Sequence, residues 1–251
     1  MKAFRVPPLL IGFGTVALAL GLVEIMLMLG LLNRFVVPFP SAVFGSFGRL
    51  FAEEELLARL LQTGAEALAA SILVAVFGIV IGVVLYRFRI LRLATEPWVA
   101  AVAAAPIVLA YPLFLVIFGR SAATIVAMGF AAGLAPVVLK TLEGLNGVRK
   151  SLIDVGRSYN LSQSQLFWKI LLPAAVPTIF VGVRLGLVFA LINLIGVEFL
   201  INFGGLGQLI NDLAERYDLP AMFATIVFVV LVSVVIFAAL ERMERWFRPA
   251  R

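Results

Sequence analysis

The chain has 251 residues, of which 63% are hydrophobic and 14% charged, with a formal net charge of +6 and a mean hydropathy of +1.12. Soluble domains carry about 25% charged residues, so this apolar excess is too large for one buried core and points to an integral membrane protein. With no cysteine and no histidine, disulfides, thiolate nucleophiles, imidazole bases and the usual zinc and haem ligands are excluded together.

The chain opens with Lys2 and Arg5 ahead of a long apolar run. That run outlasts the roughly 7–15 residues of a signal-peptide core and meets no A-x-A cleavage pattern before Asn33, so it reads as a retained first span. Apolar segments long enough to cross about 30 Å of hydrocarbon at about 1.5 Å per residue run from Pro8 to Leu32, Thr63 to Tyr86, Pro97 to Phe118, Ala122 to Lys140, Ala174 to Leu200 and Ala221 to Leu240. The fourth is the shortest. The expected fold class is therefore an all-α membrane protein with six transmembrane helices. Residues 1–62 hold the first span and a following segment, and residues 63–251 hold the other five. In that segment Phe44, Phe47, Leu50, Phe51, Leu57, Leu60 and Leu61 recur at near-helical spacing beside Glu53, Glu54, Glu55 and Arg59. The pattern fits an amphipathic helix at the interface, and equally an ordinary packed surface helix.

Lys and Arg set the orientation. With the N-terminus inside, the cytoplasmic segments hold Lys2, Arg5, Arg87, Arg89, Arg92, Lys140, Arg149, Lys150, Arg157, Lys169, Arg242, Arg245, Arg248 and Arg251. The outer segments hold only Arg34, Arg49, Arg59, Arg120 and Arg216, and Arg184 lies within a span. Both termini are thus expected in the cytoplasm. The basic residues follow topology and form no single face or tail, so nucleic acid is not an expected partner.

Pro106 and Pro112 interrupt the third span. Each removes a backbone donor and frees the carbonyl four residues earlier, on Val102 and Val108. In lipid such groups must be covered by neighbouring helices or face a wet cavity. The segment reads either as a kinked helix in a bundle or as a broken wall beside a translocation path, with Tyr111 between the prolines. After the fifth span, Gly204, Gly205 and Gly207 predict a flexible turn and Asn211–Tyr217 a short external helix. No G-x-x-x-x-G-K-[ST] or G-x-S-x-G occurs, and the paired acids Glu53–Glu55 read as a solvated face. No enzyme constellation is present, and no cofactor is expected.

The longest stretch of mixed polarity, Glu143–Pro177, lies between the fourth and fifth spans, on the cytoplasmic side of the predicted topology. Ser151–Tyr159 predicts two turns of helix with Asp154 and Arg157 at i,i+3. Asn160 tolerates a left-handed backbone. Ser162-Gln163-Ser164-Gln165 reads as a capping box that opens a second helix. Pro173 restricts Leu172 and is expected to redirect the chain into the fifth span.

Here the chain resembles a family, the permeases of binding-protein-dependent ABC importers. Their last long cytoplasmic loop carries an E-A-A triplet, a glycine four residues on, and Leu-Pro after a further dozen. Asp154-Val155-Gly156, Asn160 and Leu172-Pro173 stand at that spacing. IFVGVRLGLVFALINLIGVEFL, FGGLGQLI and APIVLAYPLFLVIFG are similar to the sulfonate, nitrate and taurine branch, and the resemblance covers about Gln62 to Arg248. It implies a transmembrane permease of the bacterial inner membrane, with the 141–172 loop as a coupling segment docked on a separate ATPase. The implied partners are two ABC ATPase subunits, a second permease subunit, an external solute-binding protein and membrane lipid. Asp154, Val155, Gly156, Arg157, Tyr159, Asn160, Leu172 and Pro173 would form the ATPase contact. The departures at Asp154 and Asn160, and Glu66 near a position often held by arginine, lead us to expect a second, non-identical permease.

Ionisable and polar groups inside spans are costly and often functional. Glu24, Arg184, Asn193 and Glu198 stand out, and Arg184, Asn193 and Glu198 join Pro106, Tyr111 and Pro112 as candidates for the path. Arg184 would favour an anion. Each also reads as an interhelical hydrogen-bonding group. Arg184 and Glu198 are about 21 Å apart along a helix axis and cannot pair directly. The branch implies a small organic anion or oxyanion as cargo. The alternatives are a vitamin or its precursor, an ATPase-independent secondary transporter, or a purely structural subunit.

Overall fold

A computed structural model describes residues 8–247. Lys2, Arg5, Arg248 and Arg251, and the side chain of Arg245, lie outside the described residues. Every regular element described is helical: α1 (Pro8–Met28), α2 (Pro40–Gly45), α3 (Phe47–Ala52), α4 (Leu56–Arg87), α5 (Arg89–Ala104), α6 (Tyr111–Phe118), α7 (Ala122–Asn146), α8 (Lys150–Ser158), α9 (Gln163–Leu166), α10 (Leu172–Ile201), α11 (Gly205–Glu215) and α12 (Leu219–Phe247). Among the described residues five helical runs are long and apolar enough to cross a membrane, and a sixth span results if α5 and α6 count as one broken crossing.

Helices α4, α7 and α10 form the centre, with α7 packed against both others. In lipid there is little hydrophobic drive between helices, so close approach of small residues supplies the contact. Gly133 of α7 and Gly186 of α10 meet backbone to backbone. A Cβ on either would lie 2.6 Å from the other's carbonyl oxygen. The fourth predicted span, the shortest in the sequence, is the most buried of the spans. Hydropathy stops it at Lys140, yet the helix runs on to Asn146, with Leu142 and Leu145 buried in the core and Lys140 Nζ paired with Glu143 Oε2 at 2.6 Å along its surface.

The second predicted span also lengthens, starting at Leu56 rather than Thr63. The segment before it forms α2 and α3, which lie against α12. Val43 and Leu50 there are buried with Leu56 of α4, Leu206, Leu209 and Leu213 of α11, and Ala221 and Ala224 of α12. Of the predicted apolar stripe, Leu50 is buried in this cluster and Phe47 and Leu60 pack against it, while Phe44, Phe51, Leu57 and Leu61 are exposed. Glu24 of α1 accepts hydrogen bonds from Ser41 N at 3.1 Å and Ser41 Oγ at 2.7 Å, which ties α1 to the start of α2.

The third span is not a kinked helix. The chain bends by 93° between α5 and the helical run Ile107–Phe118. Pro106 stands at the break, followed by a tight 3₁₀ turn over Ile107–Ala110, and Pro112 occupies the first turn of α6, where a missing N–H costs nothing. The two carbonyls expected to be stranded are satisfied locally: Ala105 N–H donates to Val102 O and Tyr111 N–H to Val108 O.

Pro173 does not redirect the chain. Gln163–Ile201 is one continuous helical run of 39 residues, and Leu172 is in the right-handed helical region. A wider π turn over Phe167–Leu171 immediately precedes the proline, and its i→i−5 bond, Leu172 N–H to Phe167 O, makes room for a ring that would break an ordinary turn.

Candidate functional site

Between α7 and α10 the chain makes a helical hairpin. Its turn is built as the residues dictate. Asn160 has φ +54°, and Leu161 N–H returns to Gly156 O at 3.1 Å, closing the end of α8. Ser162 Oγ accepts from Gln165 N–H at 3.3 Å while Gln165 Oε1 accepts from Ser162 N–H at 3.0 Å, the reciprocal pair that starts α9. Gly156 is buried against the tips of Leu166 and Ile170, so α8 lies down on the following helix.

That contact turns the other face of α8 outward. Asp154, Val155 and Arg157 are exposed, and Tyr159 is 78% exposed at the end of the helix. Asp154 Oδ1 and Arg157 Nη1 are 3.8 Å apart, an exposed pair worth at most about 1 kcal/mol. The carboxylate and guanidinium are therefore available to another surface. Leu152 is exposed as well, giving the face an apolar component that the motif residues alone do not reveal. Leu172 is half-buried and Pro173 exposed, at the start of α10 and away from the tip.

The structure separates the polar residues of the spans. Pro106 and Asn193 line one cavity of about 420 Å³ at the α5–α6 break, with Ala105, Ile107, Val108 and Phe189. Asn193 Nδ2 donates to Phe189 O at 3.0 Å, leaving its carbonyl oxygen for the cavity. Tyr111 instead packs on the apolar cluster of Ile125, Met128 and Leu194, and Pro112 starts α6. Arg184 sits elsewhere: its Nη1 lies 2.8 Å from Glu244 Oε2 of α12, and its guanidinium is 5.2 Å from the centre of the Phe237 ring. Glu198 is fully buried and bonded to Thr63 and Gly207. Glu244 escapes a sequence reading because hydropathy ends the sixth span at Leu240, whereas α12 continues to Phe247. Thr63 and Gln62 escape it because only the folded α10–α11 turn brings Leu206 and Gly205 to them.

Among the described residues no group of three or more acidic side chains could hold a metal ion. Residues 74–249 match the model of a family described as binding-protein-dependent transport system inner membrane component. The chain is 30% identical to the riboflavin transport system permease protein RibX of Chloroflexus aurantiacus, over 84% of this chain and 81% of that one. It is 27% identical to the putative aliphatic sulfonates transport permease protein SsuC of Bacillus subtilis, over 86% and 79%. Its fold is similar to that in inward-facing conformations of the MetNI methionine ABC transporter, with a TM-score of 0.67 at 21% identity, covering 77% of this chain and 96% of that one. The chain is a multi-pass integral membrane protein and belongs to the family of inner membrane components of binding-protein-dependent transport systems.

Proposed function

We propose that this chain is the transmembrane subunit of an ATP-driven importer in which α8 receives the stroke of a separate ATPase. The observation that carries the reading is the α7–α10 hairpin. Its capping box and left-handed Asn160 hold α8 against α9 and the π turn that follows it, and Leu152, Asp154, Val155, Arg157 and Tyr159 are left facing outward. A rigid lever with a mixed apolar and charged face suits docking into a cleft on another protein. The Lys/Arg distribution supports a cytoplasmic position for it. ATP chemistry then belongs to two partner ATPases, and a second permease subunit and a solute-binding protein complete the importer.

The cargo path in this reading includes the cavity at the α5–α6 break, where Pro106 and Asn193 meet. The sulfonate-type relative supports a small organic anion as cargo. A second reading, an uncharged or aromatic solute such as a vitamin, is favoured by one observation. Arg184 is engaged by Glu244 and Phe237, and the cavity is lined by apolar groups and Asn193 without a charged side chain.

The test is purification from native membranes in mild detergent, followed by ATP turnover with and without the associated binding protein. Copurifying ATPase whose turnover responds to the loaded binding protein, and is lost on Tyr159→Ala or Asp154→Ala with the permease still folded, is the expected result. A permease that folds, binds no ATPase and still transports would sink the proposal in favour of a secondary transporter.

A further inference from the structure

Two buried acids meet where the α10–α11 turn crosses α4. Glu198 of α10 is 0% exposed and Glu66 of α4 is 5% exposed. Glu198 Oε2 accepts from Thr63 Oγ1 at 3.0 Å and from Gly207 N–H at 2.8 Å. Thr63 Oγ1 in turn accepts from Leu206 N–H at 2.8 Å. Glu66 Oε1 accepts from Gln62 Nε2 at 3.2 Å, and Gln62 also bonds Phe203 O and Gly205 N–H. These bonds occupy one oxygen of each carboxyl. The other two, Glu66 Oε2 and Glu198 Oε1, are buried and receive no donor from the protein, and the two carboxyls are anchored on adjacent residues of α4, Gln62 bonding Glu66 and Thr63 bonding Glu198.

An ionised carboxylate only accepts, so two of them cannot bond to each other. Two like charges buried side by side need either a counter-ion or a proton. The charged groups of the surrounding elements are committed elsewhere. Arg59 of α4 is held by Asp212 of α11 at 3.2 Å, Arg120 ahead of α7 by Asn202 O, and Arg216 by Glu54. Glu215 of α11 accepts from Asn211. Lys140 of α7 pairs with Glu143 and Arg184 of α10 with Glu244. Among the described residues, each of these cations is thus engaged by a partner other than Glu66 or Glu198.

We propose that Glu66 and Glu198 bind one proton between them, forming a carboxyl–carboxylate hydrogen bond that joins α4 to α10 beneath the α10–α11 turn. The turn is laid directly on this joint. A Cβ at Gly205 would meet the Glu198 carboxyl, one at Gly207 would meet Glu198 Cβ, and one at Gly204 would meet the Gln62 amide. The proton thus holds together a seam of three helices, α4, α10 and α11. The proposal is independent of the cargo and of the ATPase.

Infrared difference spectroscopy on the purified full-length protein at neutral pH tests it. The wild type is expected to show the carbonyl stretch of a protonated carboxyl. Both Glu66→Gln and Glu198→Gln should lose one such band while keeping the fold, because an amide can donate where the proton did. If a Gln variant does not fold, the wild-type band is titrated instead, and its fading as the pH is raised is the supporting result. Two results would overturn the idea. One is the absence of any such band in the wild type, or its persistence in both Gln variants. The other is a wild-type melting midpoint that rises on adding sodium or calcium and no longer does so in Glu66→Gln, which would mean a bound cation.

Discussion

Arg184 Nη1 lies 2.8 Å from Glu244 Oε2, with the Glu244 side chain 1% exposed and that of Arg184 20% exposed. The pair joins α10 to α12, and the Phe237 ring, seven residues before Glu244 on α12, faces the guanidinium. Breaking a buried pair strands the remaining charge, which costs about 3–5 kcal/mol, whereas replacing both partners is far cheaper. Arg184→Gln and Glu244→Gln should each lower the melting midpoint in detergent, toward the smaller end of that range because Arg184 is partly exposed. The double variant should recover much of the loss. Additive losses across the cycle would show that the two side chains act separately.

The centre of the bundle predicts a sharp contrast between glycines. At Gly186 an added methyl meets the Gly133 carbonyl and the Val137 side chain, both fixed within packed helices. At Gly156 it meets the δ-carbons of Ile170, Leu166 and Leu161, the far ends of side chains that can swing aside. Overpacking costs about 1–3 kcal/mol and more where backbone must move. Gly186→Ala should therefore sharply reduce the yield of folded protein, and Gly156→Ala should be tolerated. Size-exclusion profiles of the two variants after identical extraction check this.

Hydropathy makes α1, α4, α7, α10 and α12 legible, because lipid demands unbroken apolar helices. The hairpin is legible too. Asn160, Ser162 and Gln165 act on neighbours within a few residues, so their chemistry is local. The 93° break at Pro106 is not, since a proline announces an interruption without saying how far the chain turns. The pass of Pro173 through a helix is hidden for the same reason: the wide turn that admits it depends on backbone geometry upstream. The candidate path fares worst. Arg184 and Glu198 look alike in sequence, and only tertiary packing gives one a salt bridge and the other a buried hydroxyl and backbone amide.

Asn160 holds a left-handed backbone at φ +54°. A β-branched side chain there costs about 1–2 kcal/mol or more, while glycine costs nothing sterically. Asn160→Gly should leave the hairpin intact, and Asn160→Val should loosen the turn between α8 and α9. Limited proteolysis checks it. Faster cleavage near residues 159–162 in the valine variant alone is the expected pattern, and equal cleavage in both would mean that the side chain of Asn160, not its backbone, secures the turn.

Glu54 and Arg216 form a two-pronged pair, Nη1 to Oε1 and Nη2 to Oε2, each at 2.8 Å. The hydrogen bond from Arg216 holds the Glu54 carboxyl below its ordinary value of 4.5, against a partial opposing effect of burial. A carboxylate whose folded value is depressed contributes its stability fully above the ordinary value. The contribution is lost as the pH falls below 4.5 and through the lower folded value. The melting midpoint of the wild type should therefore fall across that acid window by more than that of Glu54→Gln, which has no proton to take up. Arg216 is half exposed, so the difference should be small and should shrink further in high salt. A wild-type and Glu54→Gln pair with parallel acid profiles at low salt would mean that this bridge, like most exposed ones, only orients α11 over α4 and adds nothing to stability.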